Sequence, residues 1–382
     1  MDRVLEIQEI QQLAPYRHVW SDLLAITPGA SFFQSLEWLE AYWRHFAAGQ
    51  RLRTLIVLAA GRPIGIVPLV ERWEPTRIGR IRVLTYPLHD WGSFYGPIGP
   101  QPGVALAAAL AHVRRTPRHW DLLELRWQGA IGLDTAETQR AMWRAGFQAQ
   151  ASVWDRIALV DLSGSWDAYW SGRKGGWRRR FRQAERKLAD QASISYLRYR
   201  PAGATYHDGC PRWDLYDACE EIARRSWQAA ASDGTTLSHP AVRDFLRETH
   251  AAAAAAGAVD LNLLLVGGQP AAFIYGYASG GYVYGLRRGY DPRWARQGTG
   301  NLLLAYTLRD SFARGDRFYD MGVGSLKSKR PFQTRLATIM RYSHFAPMRW
   351  RAQLLRVKRW WKAGRQRSIA VGRGQDSTAD RR

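Results

Sequence analysis

The loop that ends at residue 300 has the residue types and spacing of a phosphate-binding loop. Gly298 and Gly300 follow Arg296 and stand directly before a helical pattern over residues 302–314. The first N–H groups of a helix have no acceptor within the helix and carry partial positive charge, and glycine lets an anion approach the backbone closely. The pattern is therefore typical of a phosphate or pyrophosphate site. A G-x-G pair also occurs in ordinary loops, so a purely structural role stays open.

Predicted strands position this loop. Glycine-rich turns at residues 267–270 and 279–281 separate apolar runs, and such runs between turns predict antiparallel strands. A further strand follows the helix. The predicted strands are Leu261–Val266, Ala271–Ala278, Tyr282–Arg288 and Arg317–Met321.

The order strand, glycine loop, helix, strand resembles the core of the GNAT acyltransferases, whose corresponding loop binds the pyrophosphate of coenzyme A. The family pattern is Gln or Arg, two residues, Gly, one residue, Gly. Gly298 and Gly300 fit it, whereas Ala295 stands where Gln or Arg belongs, and Arg296 could supply the cation. The resemblance implies acetyl-CoA or another acyl-CoA as co-substrate. It assigns the coenzyme contacts to Arg296, Gln297, Gly298, Thr299, Gly300 and Asn301.

The first half of the chain repeats the same order of elements. Residues 52–58, a G-R-P turn and residues 64–70 correspond to residues 261–266, a G-Q-P turn and residues 271–278. We therefore expect an α/β (α+β) fold of tandem GNAT-like domains, each with a mixed, largely antiparallel sheet flanked by helices. The predicted division is 1–160 for a degenerate first domain, 161–348 for the acyltransferase domain and 349–382 for a basic, Trp-containing, partly disordered tail.

The loop of the first copy, Gly96–Gly103, contains three prolines. Each proline removes a backbone N–H that a phosphate would need. The sequence therefore predicts that the first half has lost coenzyme binding and shapes the substrate cleft.

Two segments resemble a particular group of GNAT relatives. Residues 32–43 follow F-F-Q-S-x-x-W-L-x-A-Y-W, which resembles the opening of CelD/BcsL-type proteins, double-GNAT relatives associated with cellulose and exopolysaccharide biosynthesis. We expect this aromatic stripe to pack in the core. Near residue 324 the family shows Gly, an acidic residue, Tyr-Lys and an aromatic residue. Gly324, Lys329 and Phe332 match, whereas Ser325 and Ser328 replace the acidic residue and the tyrosine.

The resemblance implies direct transfer of an acyl group from a thioester to an amine or hydroxyl. An amine with a pKa of about 10 must lose a proton, which requires a base or a path through water. The candidate catalytic residues are Asp320 with Lys329, then Tyr284 and His344. A structural role is the alternative for each of them.

Basic residues concentrate in two segments of a chain whose net charge is +22. The first, Arg173–Lys187, holds eight basic residues and one acidic residue, and it resembles the basic helix that opens the second domain of CelD/BcsL and FemAB-type proteins. Either it is a solvated surface, or it attracts an anionic sugar or a lipid-linked precursor. The predicted substrate-binding residues are Arg173, Lys174, Trp177, Arg178 and, from the central segment, Tyr290.

The second basic segment, residues 349–382, mixes tryptophans with eleven basic and two acidic residues. It suits either a helix at an anionic inner-membrane surface or a helix packed on the domain. No signal peptide or membrane span is predicted, so we expect a cytoplasmic protein, peripheral to the inner membrane if the tail binds there. The histidine spacing supports no metal site, and Cys210 and Cys219 match no disulfide pattern.

These observations favour a coenzyme-A-dependent N- or O-acyltransferase acting on a cell-envelope or exopolysaccharide precursor. One alternative is a FemAB-like transferase that takes its aminoacyl group from tRNA, the only case in which a nucleic acid would be a partner. Another is a non-catalytic module of a polysaccharide synthase.

Overall fold

A computed structural model describes residues 3–129, 136–226 and 236–362. Its strands form one continuous sheet of twelve. They are β1 (Arg3–Ile7), β2 (Arg51–Ala59), β3 (Arg62–Thr76), β4 (Gly79–Thr85), β5 (Leu122–Gln128), β6 (Gln150–Asp161), β7 (Ile194–Tyr199), β8 (Val259–Val266), β9 (Gln269–Ser279), β10 (Tyr282–Tyr290), β11 (Phe318–Asp320) and β12 (Arg335–Phe345).

Helices cover both faces of this sheet. They are α1 (Arg17–Ala25), α2 (Leu36–Phe46), α3 (Pro102–Arg115), α4 (Glu137–Arg144), α5 (Trp166–Ser171), α6 (Gly175–Ala189), α7 (Trp213–Arg225), α8 (Pro240–Ala255), α9 (Thr299–Ala313), α10 (Leu326–Lys329) and α11 (350–362). Short 3-10 helices precede α1, α2, α7 and α9.

The two halves of the sheet repeat the same arrangement of strands, counted from opposite edges. The strand order is β1-β2-β3-β4-β5-β12 in the first half and, from the opposite edge, β7-β8-β9-β10-β11-β6 in the second. In each half the fourth and fifth strands, β4 with β5 and β10 with β11, pair in parallel, and the other described pairs are antiparallel. This confirms the predicted largely antiparallel fold with repeated halves.

The innermost strands are exchanged between the halves. β12, from the end of the chain, pairs with β5 of the first half, and β6, from the middle of the chain, pairs with β11 of the second. β6 and β12 also pair with each other, so the sheet crosses the predicted boundary at residues 160 and 161 without a break. The division into domains therefore stays a prediction based on the repeat.

The aromatic stripe of α2 packs in the core, as predicted. Trp38 and Tyr42 are buried, and Trp38 contacts Phe245 of α8 and Tyr277 of β9 edge-on. This cluster joins the two halves, because α2 belongs to the first and α8 and β9 to the second.

Two predicted segments differ in their bounds. The basic segment Arg173–Lys187 lies mostly on α6, and Arg173 and Lys174 belong to the interruption at residues 172–174 between α5 and α6. The helix expected from residue 302 begins earlier, at Thr299. The part of the predicted tail beyond residue 362 lies outside the described residues.

Candidate active site

β10 and β11 separate in the middle of the second half. They pair only from Tyr282 to Tyr284 and from Phe318 to Asp320, whereas β10 continues to Tyr290. A bulge between Gly285 and Arg287 changes the register of β10 at this point. A bulge bends a strand and increases its twist, so the backbone edge of β10 beyond Tyr284 is released from β11. The resemblance to GNAT acyltransferases implies that strand N–H groups around Tyr282 to Leu286 hydrogen-bond the thioester oxygen, but Tyr282, Val283 and Tyr284 lie within the paired ladder.

A cavity of about 560 Å³, the second-half cavity, occupies the space between the separated strands. Its wall includes Arg287, Arg288 and Lys329 but no Asp or Glu. A concave site with cations and no carboxylate favours an anionic ligand. Apolar side chains, among them Ile274, Leu304 and Met321, cover the rest of the wall.

The start of α9 forms one end of the second-half cavity. Gly298 has a left-handed backbone with φ +69°, and Thr299 begins the helix. The backbone N–H groups of Thr299 and Gly300 donate to no carbonyl among the described residues, as expected at a helix start. Gly298, Thr299, Gly300 and Asn301 line the cavity, as does Tyr290.

The other two predicted coenzyme residues lie differently. Arg296 and Gln297 belong to the 3-10 helix Pro292–Gln297 and are absent from the lining of this cavity. Arg296 is exposed, and Gln297 Oε1 is buried without a hydrogen-bond partner among the described residues. The predicted contacts therefore divide into four residues at the cavity and two beside it.

The first half holds a corresponding cavity of about 450 Å³, the first-half cavity, at the start of α3. Pro97, Pro100 and Pro102 lie in its wall, and none of them has an N–H to offer. The Glu137 carboxylate also approaches this helix start, since a Cβ added to Gly103 would lie 3.3 Å from Glu137 Oε2. A carboxylate thus stands near the position that an anion would need.

A small cavity of about 10 Å³, roughly the space of one water molecule, lies between the two larger ones. It shares Gly285 and Arg287 with the second-half cavity, and Trp127 and Tyr284 with the first-half cavity. Asp320 lines it. The three cavities therefore form a series across the sheet, and Asp320 lies at its middle.

Asp320 and Lys329 are both buried in this region. Asp320 Oδ1 accepts a hydrogen bond from Gly322 N at 2.8 Å, and the Lys329 ammonium donates to the carbonyls of Gly322 and Val323. Burial raises the pKa of Asp320 above the usual range of a carboxyl and lowers the pKa of Lys329. A carboxyl with a raised pKa is suited to accept a proton near neutral pH. Lys329 fixes the turn that follows β11.

Tyr284 and His344 lie in different places. Tyr284 is buried at the junction of the first-half and small cavities, and burial raises its phenol pKa, so the phenol stays protonated. His344 lines none of the three cavities. Its ring packs between Trp120 and Phe147 in the first-half core, with Nδ1 3.3 Å from the Gln148 carbonyl. The structure does not bring His344 to the other candidates.

The predicted substrate residues of the basic helix also lie outside the cavities. Arg173 donates to the Gln333 carbonyl at 2.8 Å, and Arg178 donates to the Arg173 carbonyl at 3.1 Å. Trp177 packs against Phe332 at 4.8 Å between ring centroids, and Lys174 is exposed at the start of α6. Tyr290 is the only one of the five predicted substrate residues in a cavity wall.

Two arginines that the sequence did not predict as site residues, Arg287 and Arg288, line the second-half cavity, and Arg287 also lines the small one. Arg288 donates to Ser328 Oγ at 3.1 Å, and the Arg287 guanidinium stacks over Trp91 of the first half at 4.1 Å. The sequence does contain a pattern that could have predicted them, namely consecutive arginines inside an otherwise apolar strand. Charged residues are rarely buried in a core strand without a functional or structural reason.

Among the described residues, no group of three or more His, Cys, Asp or Glu side chains could hold a metal ion. None of the described helices is long and apolar enough to cross a membrane.

Residues 176–330 match the family described as an acetyltransferase (GNAT) domain. The match covers less than half of the chain and spans the second-half cavity from α6 to α10. This segment is therefore similar to a GNAT acetyltransferase domain, which supports an acyltransferase activity. No curated protein matches the sequence.

Solved structures resemble almost the whole chain. FemX is 11% identical, with a TM-score of 0.58 over 90% of this chain and 97% of FemX. The C-terminal domain (DUF2156) of an Agrobacterium fabrum protein described as a lysylphosphatidylglycerol synthetase is 11% identical, with a TM-score of 0.54 over 90% of this chain and 95% of that one. A tandem GNAT protein from the clavulanic acid biosynthesis pathway is 13% identical, with a TM-score of 0.44 over 90% and 98%. At this identity the first two likenesses show the fold.

Proposed function

We propose that this protein is a coenzyme-A-dependent acyltransferase that binds its acyl-CoA in the second-half cavity. The observation that carries this proposal is the free start of α9, where Thr299 and Gly300 offer N–H groups to a cavity with three cations and no carboxylate in its wall. A diphosphate placed there gains hydrogen bonds and the favourable helix dipole. The acyl thioester then lies toward Gly285, where β10 separates from β11.

The reaction is direct transfer. The lone pair of the acceptor nitrogen or oxygen attacks the thioester carbonyl carbon, the new bond forms, and the C–S bond breaks to release coenzyme A as its thiolate. The released edge of β10 from Gly285 onward supplies N–H donors for the carbonyl oxygen as it gains negative charge. Fixing both substrates in one series of cavities supplies the alignment.

Asp320 accepts the proton that the acceptor loses. Its raised pKa makes it a stronger base than an exposed carboxylate, and the small cavity at its side has room for one relaying water. Tyr284 remains protonated and lies on the acceptor side, where its hydroxyl can donate a hydrogen bond to the acceptor. Lys329 is assigned a positioning role through the carbonyls of Gly322 and Val323.

The acceptor approaches through the first-half cavity. We assign it to the precursors of the cell envelope or of an exopolysaccharide, as anionic sugars or lipid-linked units, on the resemblance of residues 32–43 to CelD/BcsL-type proteins. Arg140 and Arg144 line this cavity and Arg287 lines the small cavity, so cations lie along the path of such an acceptor. The basic segment that begins at Arg349 would bring the protein to the inner membrane as a peripheral protein.

A specific observation favours a second candidate, an aminoacyl-tRNA-dependent transferase. Arg179, Arg180, Arg182 and Arg186 on α6 are exposed and form no ion pair among the described residues. α6 packs against the 3-10 helix Pro292–Gln297, next to the second-half cavity. Exposed arginines beside the donor site could bind a nucleic-acid backbone.

Thermal unfolding with and without ligands separates these candidates. A ligand that binds only the folded state raises the melting temperature. At a free ligand concentration of one hundred times Kd, it adds about 2.7 kcal/mol to the free energy of unfolding. We expect acetyl-CoA to stabilise the wild-type protein and the Asp320→Asn variant equally, because Asp320 does not line the second-half cavity. Salt-sensitive binding of tRNA without stabilisation by acetyl-CoA would favour the second candidate. No response to either ligand would favour a non-catalytic module.

A further inference from the structure

The helix α11 has two apolar faces, and the described residues cover one of them. Ala352 and Leu355 are buried against Ile81, Val83, Leu122 and Phe345 of the sheet, and Arg359 reaches the buried Glu124. This face fixes the helix on the first half of the sheet. The expectation that the segment packs on the domain is thus met by one side of the helix.

The opposite face is an apolar stripe in solvent. Trp350, Leu354, Val357 and Trp361 follow one another at intervals of four, three and four residues, which places them on one side of a helix. Their exposures are 64%, 50%, 50% and 59%. We call these four residues the outer stripe. Trp360, which is 72% exposed, stands beside it.

Cations border the outer stripe. At 100° per residue, Arg351, Lys358 and Lys362 form a row between the stripe and the buried face. Residues 349–362 contain six basic residues and no acidic residue. Lys358 and Lys362 are exposed and form no ion pair among the described residues. Arg351 donates to the Arg80 carbonyl at 3.2 Å and so connects the helix to the β3–β4 hairpin.

We infer that the outer stripe and its row of cations are a docking surface for an anionic lipid bilayer. Tryptophan and leucine beside lysine and arginine, on a helix held parallel to a protein surface, match a helix that lies in the interface between headgroups and acyl chains. Anionic headgroups complement the cations. A protein partner is disfavoured, because an interface centred on the outer stripe would have to remove water from the row of cations beside it.

This inference deepens the peripheral location proposed above and does not depend on acyl transfer. Vesicle binding can therefore fail while acetyl-CoA still stabilises the protein, and the two failures are distinguishable.

Co-sedimentation of the full chain with vesicles tests the inference, with phosphatidylcholine alone compared with a mixture containing about 30% phosphatidylglycerol. We expect binding to the anionic vesicles and at least tenfold weaker binding to the neutral ones. Trp361→Ser should weaken partitioning about tenfold, because it removes a large apolar group that the membrane would bury. Lys358→Gln with Lys362→Gln should weaken it about 30-fold, at roughly a fivefold loss for each cation.

Matched controls separate this surface from the overall charge of the protein. Trp143→Ser removes a tryptophan of similar exposure, 56%, on α4, and Lys187→Gln with Lys327→Gln removes two exposed lysines on α6 and α10. Both controls should bind within twofold of the wild-type protein. Equal weakening by the controls, or no binding to anionic vesicles, overturns the inference. A dimer without lipid that Trp361→Ser dissociates would overturn it too, since a second copy would then cover the stripe.

Discussion

Asp320→Asn should separate the catalytic role of this residue from its effect on stability. Asparagine keeps an oxygen that can accept the 2.8 Å hydrogen bond from Gly322 N, so the turn after β11 should survive. It cannot take a proton from the acceptor. A general base contributes about 10²- to 10⁴-fold to a rate, and we expect kcat to fall by that factor.

The same variant should be more stable at high pH. Burial raises the pKa of Asp320 in the folded protein above its value in the unfolded chain. The stabilising contribution of this group is therefore fully present below the unfolded pKa and is lost as the pH rises through the folded pKa. A difference of one in pKa corresponds to about 1.4 kcal/mol, and the rise of the Asp320 pKa from 3.8 to about 7 already includes the opposing effect of the Lys329 charge. We expect Asp320→Asn to gain up to about 4 kcal/mol at pH 8 and almost nothing at pH 3.

Two measurements check this pair of effects. Initial rates with acetyl-CoA should be measured across the pH range. For the wild type they should rise as the pH passes the raised pKa of Asp320, and the variant should lack this ascending limb. Thermal unfolding at pH 8 should show a melting temperature higher by up to roughly 5 °C. Unchanged turnover with an unchanged limb would refute the role as base. A lower melting temperature at pH 8 would refute the cost assigned to the buried charge.

Further substitutions test the neighbouring assignments. Gly300→Ala places a Cβ 3.2 Å from the Tyr290 ring and should raise KM for acyl-CoA roughly fivefold, whereas the matched Gly103→Ala in α3 should leave this KM unchanged. Asp155→Asn removes a negative charge that raises the pKa of Asp320, so the ascending limb of the rate profile should move to lower pH while kcat is retained. His344→Asn should leave kcat/KM within about twofold while lowering stability by about 1–2 kcal/mol, because the ring packs in the core between aromatic side chains; a large loss of turnover in a folded variant would restore His344 as a catalytic candidate.

The sequence predicted the local features of the site better than its assembly. The glycine loop and the start of α9 could be predicted, because the backbone conformation of a phosphate-binding loop depends on consecutive residues. The burial of Asp320 and Lys329 could not, because it depends on strands that are distant in sequence. The exchange of β6 and β12 between the halves depends on long-range pairing, which local patterns do not encode. Arg287 likewise stacks over Trp91, which lies nearly two hundred residues earlier in the chain.

The repeated halves present the same backbone feature with different groups around it. Gly103 and Gly300 are each the second residue of the helix that links two parallel strands. At Gly300 the flanking N–H groups are free and the cavity wall carries cations, whereas at Gly103 prolines remove N–H groups and Glu137 brings a carboxylate.

Of the two related helix starts, at α3 and α9, we therefore expect the start of α9 to be the favourable position for an anionic acyl donor. Because β6 and β12 pair with each other across the middle of the sheet, the first-half cavity is held in a fixed position relative to the second-half cavity. We expect the first half, whose helix start contains prolines, to receive the acceptor, because its cavity meets the small cavity at Tyr284. Asp320, which lines the small cavity, can then take a proton from a group that arrives through the first half.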